Sequence, residues 1–315
     1  MCSKMKTCQS TEKFCRRAYL PSDSFSERVE ALRGALECAD HVVIGAGAGL
    51  SAAAGLEYGG SRFSGNFADF IDRYGIPDMY AAMFYPFRTE EERWAYQARH
   101  VRLNRFDNDE AAGLYRSLFE MVGGKDHFVV TTNVDGLFVK AGFASERVFA
   151  VQGDYAYMQC AVGCHDRLYN DEGLVREMCR QTESCRVPSS LVPRCPVCGG
   201  SMEINVRKDG YFVEDDSWRE SLERYRTFMA KASQGRTLLL ELGVGYNTPS
   251  IIRFPFERMV SQLPSVTLAR FNRDFPGRQA DMGSFIPFGE DIARVLADVM
   301  KPLQGPLHDS DRVEQ

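Results

Sequence analysis

The stretch His41-Val42-Val43-Ile44-Gly45-Ala46-Gly47-Ala48-Gly49-Leu50-Ser51-Ala52-Ala53-Ala54-Gly55 decides the fold. A short β-branched run breaks into glycines and then into small residues. Buried strand, tight turn and helix start is the order in which a chain brings backbone N–H groups against a phosphate. Glycine serves where a Cβ would block the turn or the approach of a pyrophosphate. Gly47 to Ala52 fits the looser G-x-G-x-x-G/A dinucleotide fingerprint, and equally a tight strand-to-helix connection in any α/β protein. The fingerprint also expects an acidic residue about 20 positions on, at a strand end, to hold a ribose. Asp69 has the distance, but Phe67-Ala68-Asp69-Phe70-Ile71-Asp72 does not read as a strand end, so an ordinary hydride-transfer enzyme is poorly supported.

Outward from this stretch, strands and helices alternate. Ser24 or Ser26 caps a helix carrying Val29, Leu32, Ala35, Leu36 and Ala39 on one face. Asn66 to Phe87 is rich in aromatic residues and reads as a helical lid burying its rings in the main core. Thr89-Glu90-Glu91-Glu92 starts a helix towards Asn104, and another spans Asp109 to Val122 and stops at Gly123-Gly124. His127 to Thr132 is a buried strand running into Asn133-Val134-Asp135-Gly136. A short helix (Gly136 to Ala141) follows, then a strand (Arg147 to Val151) ending at Gln152-Gly153-Asp154. After a helix over Trp218 to Ala232, the strand Thr237 to Leu242 breaks at Gly243-Val244-Gly245-Tyr246-Asn247-Thr248-Pro249. A helix from Ile251 to Leu263, a strand from Ser265 to Arg270 and a helix from Asp291 to Met300 complete the pattern. Polar residues at the carboxyl ends of parallel strands face the crevice where open α/β sheets bind ligands. The fold class is therefore α/β, a doubly wound parallel sheet, with no internal repeat.

The texture changes between Cys160 and Asn205. Cys160/Cys164 and Cys195/Cys198 form two close pairs, the second in the form Cys-Pro-x-Cys-Gly, which matches a four-thiolate zinc ribbon. His165, Cys179 and Cys185 lie in the same region, with His165 read as a neighbour of the metal set. The resulting organisation is a polar N-terminal tail over 1–21, a main domain over 22–155 and 206–303, a zinc module over 156–205 and a polar tail over 304–315.

Composition excludes several classes. The chain has 315 residues, 44% hydrophobic and 26% charged, ordinary values for one large globular unit with a small insert. A net charge of −5 gives no general attraction for nucleic acid or anionic membranes. No apolar run approaches the roughly 18 residues of a spanning helix. Met1 to Arg17 lacks the apolar middle of a signal peptide, and the ten cysteines fit a reducing, cytoplasmic compartment better than a disulfide framework.

Four separated features line up in order: Gly47-Ala48-Gly49-Leu50-Ser51 with Gly55; Thr132-Asn133-Val134-Asp135; Gln152-Gly153 ahead of Cys160; and the two cysteine pairs. From about Ser22 to Met300 the chain resembles the sirtuins, NAD-consuming enzymes with a Rossmann-like domain and a zinc ribbon. The resemblance implies NAD+ as co-substrate and structural Zn2+ on Cys160, Cys164, Cys195 and Cys198. Around NAD+ it places Gly47, Ala48, Gly49, Ser51, Gly55, Arg62, Phe63, Thr132, Asn133, Asp135, Gln152, Gly243, Val244, Gly245, Asn272, Arg273 and Asp291. Of these, Asn133 would orient the ribose and any attacking group. Asp135 would receive the nicotinamide carboxamide, and Gln152 would hold the ribose hydroxyls.

Two departures redirect the function. The family's Gly-Ile-Pro-Asp-Phe-Arg becomes Gly55-Leu56-Glu57-Tyr58-Gly59-Gly60-Ser61-Arg62-Phe63, with Arg62-Phe63 standing in for the lost pair. The family's general-base histidine falls on Gln152, which has no proton to exchange near neutral pH. General-base catalysis is typically worth about 10²–10⁴-fold, so deacylation should suffer while nicotinamide departure need not. These features resemble the macrodomain-linked (class M) sirtuins. The resemblance implies mono-ADP-ribosyl transfer to a protein acceptor, for which a lipoylated carrier akin to the glycine-cleavage H protein is a candidate, and a macrodomain protein as reversing partner. Lysine deacylation with Asp154 or a water as base, and a non-enzymatic NAD-binding module, are the alternatives.

Overall fold

The computed structural model describes residues 17–277 and 282–301; the tail expectations over 1–16 and 304–315 lie outside them. The elements relevant to the site are α1 (Phe25–Cys38), β1 (His41–Ala46), α2 (Ala48–Ala53), α3 (Gly60–Tyr74), α4 (Met79–Met83) and α5 (Glu90–Val101). A π turn over Arg102–Phe106 leads to α6 (Ala112–Val122), β2 (Asp126–Thr131), α7 (Leu137–Lys140), β3 (Val148–Ala150) and β4 (Gly153–Cys160). Then come β5 (Tyr169–Asn170), α8 (Glu172–Gln181), β6 (Met202–Val206), α9 (Asp216–Ala232), β7 (Thr237–Leu242), α10 (Arg253–Gln262), β8 (Val266–Phe271), β9 (Ser284–Phe288) and α11 (Ile292–Met300).

Six strands form one parallel sheet in the order β3-β2-β1-β7-β8-β9. The winding reverses between β1 and β7, and such a switch point opens a crevice above the strand ends. Both sheet faces are covered, which is why the inner strands are near-continuous apolar runs. Val42, Ile44, Leu238 and Leu240 pack to one side with α1, α6 and α11, and Val43, Leu239 and Leu268 pack to the other with α9 and α10.

β4, β5 and β6 form a separate antiparallel sheet in the order β5-β4-β6. The chain passes from one sheet to the other between Ala150 and Gly153. Gly153 has φ +98°, and a Cβ there would lie 2.1 Å from the Asn205 carbonyl oxygen.

The aromatic segment does not bury its rings in the main core as anticipated. Phe63, Phe67, Phe70, Trp94 and Tyr96 instead form a further core with Tyr155, Met158, Val175 and Ile204 of the cysteine-bearing module. The reason lies in α3, which starts at Gly60 inside the altered loop and lays its apolar face against α5. β9 also has no counterpart in the sequence reading.

Candidate active site

The switch point brings two glycine loops into backbone contact. The Gly47 N–H donates to the Leu242 carbonyl at 3.0 Å, and the Gly49 N–H to the Gly243 carbonyl at 3.0 Å. A Cβ on Gly47 would lie 2.8 Å from the Gly243 oxygen, and one on Gly49 would lie 2.7 Å from the Gly243 Cα. Gly243, at φ +63°, would meet the Leu50 nitrogen at 2.3 Å if it carried a Cβ. These glycines thus serve loop-to-loop packing, and two N–H groups read as phosphate donors are spent inside the protein. Ala48 opens the helix α2, and Gly55 closes the segment with φ +94° in open space.

Beneath the loops lies a buried polar chain. The Ser51 hydroxyl donates to the Asp135 carboxylate at 2.5 Å and lies 3.1 Å from the Tyr115 hydroxyl. Asn133 donates to the Gly47 carbonyl at 3.0 Å and to the Tyr115 hydroxyl at 3.4 Å. Thr131 and Thr132 both donate to the Ala46 carbonyl, and the Thr131 oxygen accepts from the Asn133 N–H. β2 therefore delivers Asn133 and Asp135 against the end of β1. Burial raises the Asp135 pKa above the ordinary carboxylate range, opposed by hydrogen bonds from Ser51 and the Leu137 N–H. Burial also holds the Tyr115 phenol far above its usual range, so it stays a neutral donor. Neither Ser51 as a partner of Asp135 nor Tyr115 as the hub was foreseen; a tyrosine inside an apolar helix carries no local signal.

Gln152 sits at the crossing between the sheets. Its side chain donates to the Thr248 hydroxyl at 3.3 Å, and its carbonyl accepts from the Arg207 N–H at 3.0 Å. The glutamine is thus joined to the second glycine loop on one side and to the end of β6 on the other. Its neighbour Asp154 is held bidentately by Arg105 at 2.6 and 3.2 Å and also accepts from the Ala156 N–H.

Val244 and Gly245 continue the second loop, where Asn272 donates to the Val244 carbonyl at 2.9 Å. Arg273 points into solvent, and Asp291 caps α11 through the Arg294 N–H at 2.9 Å. Arg62 and Phe63 are held by contacts within the neighbouring helices. Arg62 binds the Leu103 carbonyl and the Asn104 side chain, both at 3.0 Å, and Phe63 is buried against Phe67.

In the module, the four sulfurs of Cys160, Cys164, Cys195 and Cys198 lie within 4.8 Å of one another. The Cys160–Cys198 and Cys164–Cys195 separations are 3.7 and 3.6 Å. A tetrahedral zinc with Zn–S bonds of about 2.3 Å sets its sulfurs about 3.8 Å apart, so the set fits a structural zinc ion. His165 stands beside Cys164 at 3.0 Å and is turned by the Tyr169 hydroxyl at 2.9 Å, while Cys179 and Cys185 lie outside the cluster.

Residues 47–230 match the model of the Sir2 family. A protein ADP-ribosyltransferase of Staphylococcus aureus (strain Mu50 / ATCC 700699) is 36% identical over 252 residues, covering 80% of each chain. This chain belongs to the Sir2 family. Similar too, at 34% over 277 residues, is a probable bifunctional ADP-ribose hydrolase/ADP-ribosyltransferase of Fusarium oxysporum f. sp. cubense. That match spans 83% of this Sir2-family chain but only 46% of the fungal protein. Among solved structures, a Sir2 homologue–NAD complex superposes with a TM-score of 0.54 at 14% identity, covering 91% of this chain and 96% of that one. Another Sir2 enzyme structure superposes with a TM-score of 0.53 at 16% identity, covering 87% and 97%. At such identities the structures speak to the fold. The overall fold is shared with these Sir2 structures.

Proposed function

We propose that this chain is an NAD+-dependent protein mono-ADP-ribosyltransferase. One observation carries the reading: at the strand end beside Asn133 and Asp135 stands Gln152, not a histidine, and nearby Asp154 is bound by Arg105. The site keeps polar groups suited to a ribose and a carboxamide, and Asp154, the carboxylate two residues from Gln152, is engaged by Arg105. The names of the bacterial and fungal relatives support the same activity.

In the reaction, the bond between nicotinamide nitrogen and ribose C1′ breaks, and its electron pair leaves with neutral nicotinamide. An acceptor nucleophile forms the new bond to C1′ and gives its proton to solvent. Asp135 receives the carboxamide. Asn133 orients the ribose, and Gln152 holds its hydroxyls without taking a proton. The four thiols would hold zinc as a structural ion, away from this chemistry.

The acceptor is a protein, and a lipoylated carrier related to the glycine-cleavage H protein is the first candidate. A macrodomain hydrolase fits as the reversing partner, because the fungal relative's name joins hydrolase and transferase in one longer chain. Cys160, Cys164, Cys179, Cys185, Cys195 and Cys198 are free thiols, which fits a reducing, cytoplasmic compartment, and no described helix is long and apolar enough to cross a membrane.

The test incubates the chain with NAD+ labelled in its ADP-ribose and a lipoylated carrier. Label should move to protein, and Asn133→Ala should abolish transfer while NAD+ binding is retained. No label on any protein acceptor, or one-to-one loss of an acyl group from a peptide per NAD+ consumed, would overturn the assignment.

A further inference from the structure

Behind the second glycine loop lies a cluster of four charged residues. Arg270 of β8 and Glu241 of β7 are fully buried, and Arg253 at the start of α10 is nearly so. Arg270 grips Glu241 with two hydrogen bonds of 2.7 and 2.9 Å and reaches Glu257 at 2.7 Å. Arg253 lies 3.5 Å from both Glu241 and Glu257. The charges balance, yet burying two ion pairs is poor value for stability, since apolar residues of similar volume commonly do as well or better.

What apolar residues cannot do is cap carbonyls. Three further guanidinium donors go to the backbone of the two loops above, while the buried Arg253 Nε makes no hydrogen bond. Arg253 donates to the carbonyls of Val244 and Phe275, both at 3.3 Å, and Arg270 donates to that of Gly277 at 2.9 Å. Arg253 also stacks 4.4 Å from the ring centre of Tyr246, which meets Phe275 edge-on with centroids 5.1 Å apart. The loop after β7 and the loop after β8 are thus fastened to one buried point. Val244 is the residue whose Cα a Cβ on Gly47 would touch at 3.0 Å, so the fastening reaches the loop after β1 as well.

We infer that the Arg253–Arg270–Glu241–Glu257 cluster is the positioning device of the nucleotide site, setting the spacing of the loops that close on NAD+. The inference rests on the reading of these loops as the NAD+ site. Arg253 is a positioning residue: it acts through the Val244 and Phe275 carbonyls. Lysine at this position keeps the charge balance but lacks the planar fork that reaches two carbonyls and two carboxylates together.

The experiment measures NAD+ binding to the full chain by calorimetry, alongside steady-state kinetics and denaturant unfolding. Arg253→Lys should weaken NAD+ binding and raise the KM for NAD+ by about tenfold, the effect expected when a charge-assisted hydrogen bond to a loop is lost. It should leave kcat at saturating NAD+ within about twofold, as expected of a uniform binding effect. Glu257→Gln, which keeps a hydrogen-bonding oxygen, should shift NAD+ affinity in the same direction by less, and it decides the matter if Arg253→Lys does not fold. Glu203→Gln disrupts a partly buried ion hub with Arg93 and Lys208 beside the cysteine-bearing module and should leave NAD+ affinity unchanged. Wild-type NAD+ affinity in Arg253→Lys and Glu257→Gln, or an equal loss in Glu203→Gln, overturns the inference alone. A wild-type chain that binds no NAD+ overturns the functional reading, and this inference with it.

Discussion

At Gln152, a histidine substitution supplies a base but not the rest of a deacylase. Arg62 and Phe63, read from the sequence as replacements for a lost nicotinamide-loop pair, are committed to other contacts. The guanidinium is held on Leu103 and Asn104, and the ring is buried on Phe67. Nothing in Gln152→His would release them, so peptide deacylation by that variant should stay at the wild-type level. Robust NAD+-coupled acyl release would show that the single base, and not the loop, sets the chemistry. Asp171 offers a second residue-scale prediction. Its carboxyl is fully buried with neither oxygen hydrogen-bonded, and burial pushes its pKa up to about 8. A carboxyl whose pKa is higher folded than unfolded favours folding while protonated, and that contribution is lost as pH rises through the folded value. From the ordinary carboxylate range up to about pH 8, wild-type stability should therefore decline through this group. Asp171→Asn, which does not ionise, should flatten that decline. Parallel denaturant midpoints for the two proteins from pH 5 to about 9 would refute the assignment.

Among the elements, those with a strong period were legible and those placed by their neighbours were not. β1, β2, β7 and β8 are apolar runs ending in polar or glycine breaks, and each lies within about two residues of its expected limits. β9 was missed because Ser284–Phe288 is short and contains Pro287, which argues against a strand unless it lies at an edge. It is the last strand of the sheet, paired with β8 on one side and met on the other by a single bridge from Ala18 to Phe285. The strand character of Gly153–Cys160 was hidden by a glycine at its first position, and the structure gives that glycine a purpose. At φ +98°, with the Asn205 carbonyl where a Cβ would stand, Gly153→Ala meets both backbone strain and a rigid neighbour. It should cost about 2–4 kcal/mol by urea unfolding. Turnover should fall too, because Arg207, directly after β6, donates the N–H that holds the Gln152 carbonyl. Gly65→Ala, with open space around its Cβ, is the control and should be neutral or slightly stabilising. Equal stability in the two variants would dismiss the crossing as a constraint.

Across the whole molecule, the candidate site was legible as strand ends and cysteine spacing, whereas its supporting structure was not. The Asp135–Ser51–Tyr115–Asn133 chain and the role of Gly243 depend on which strands become neighbours, and only the assembled sheet determines that. The same holds for the partition into cores. The aromatic helices share their core with the cysteine-bearing module and not with either face of the large sheet. A metal that folds the module should therefore also hold α3 and α5 in place. The chain's two tryptophans, Trp94 and Trp218, fall on opposite sides of this division. Trp94 is buried in the shared core, while Trp218 lies against Phe149 of the large sheet and donates to the Val151 carbonyl. Structural zinc in small modules contributes roughly 10–16 kcal/mol of folding free energy, enough for chelation to unfold this part first. Chelator added to Trp218→Phe should shift the remaining Trp94 emission to the red, and Cys195→Ser in the same background should show the shift without chelator. In Trp94→Phe the emission should stay largely unchanged, because the large sheet keeps its own cores. Simultaneous, equal shifts from both tryptophans would mean that the chain unfolds as one unit and that the division between the cores has no energetic weight.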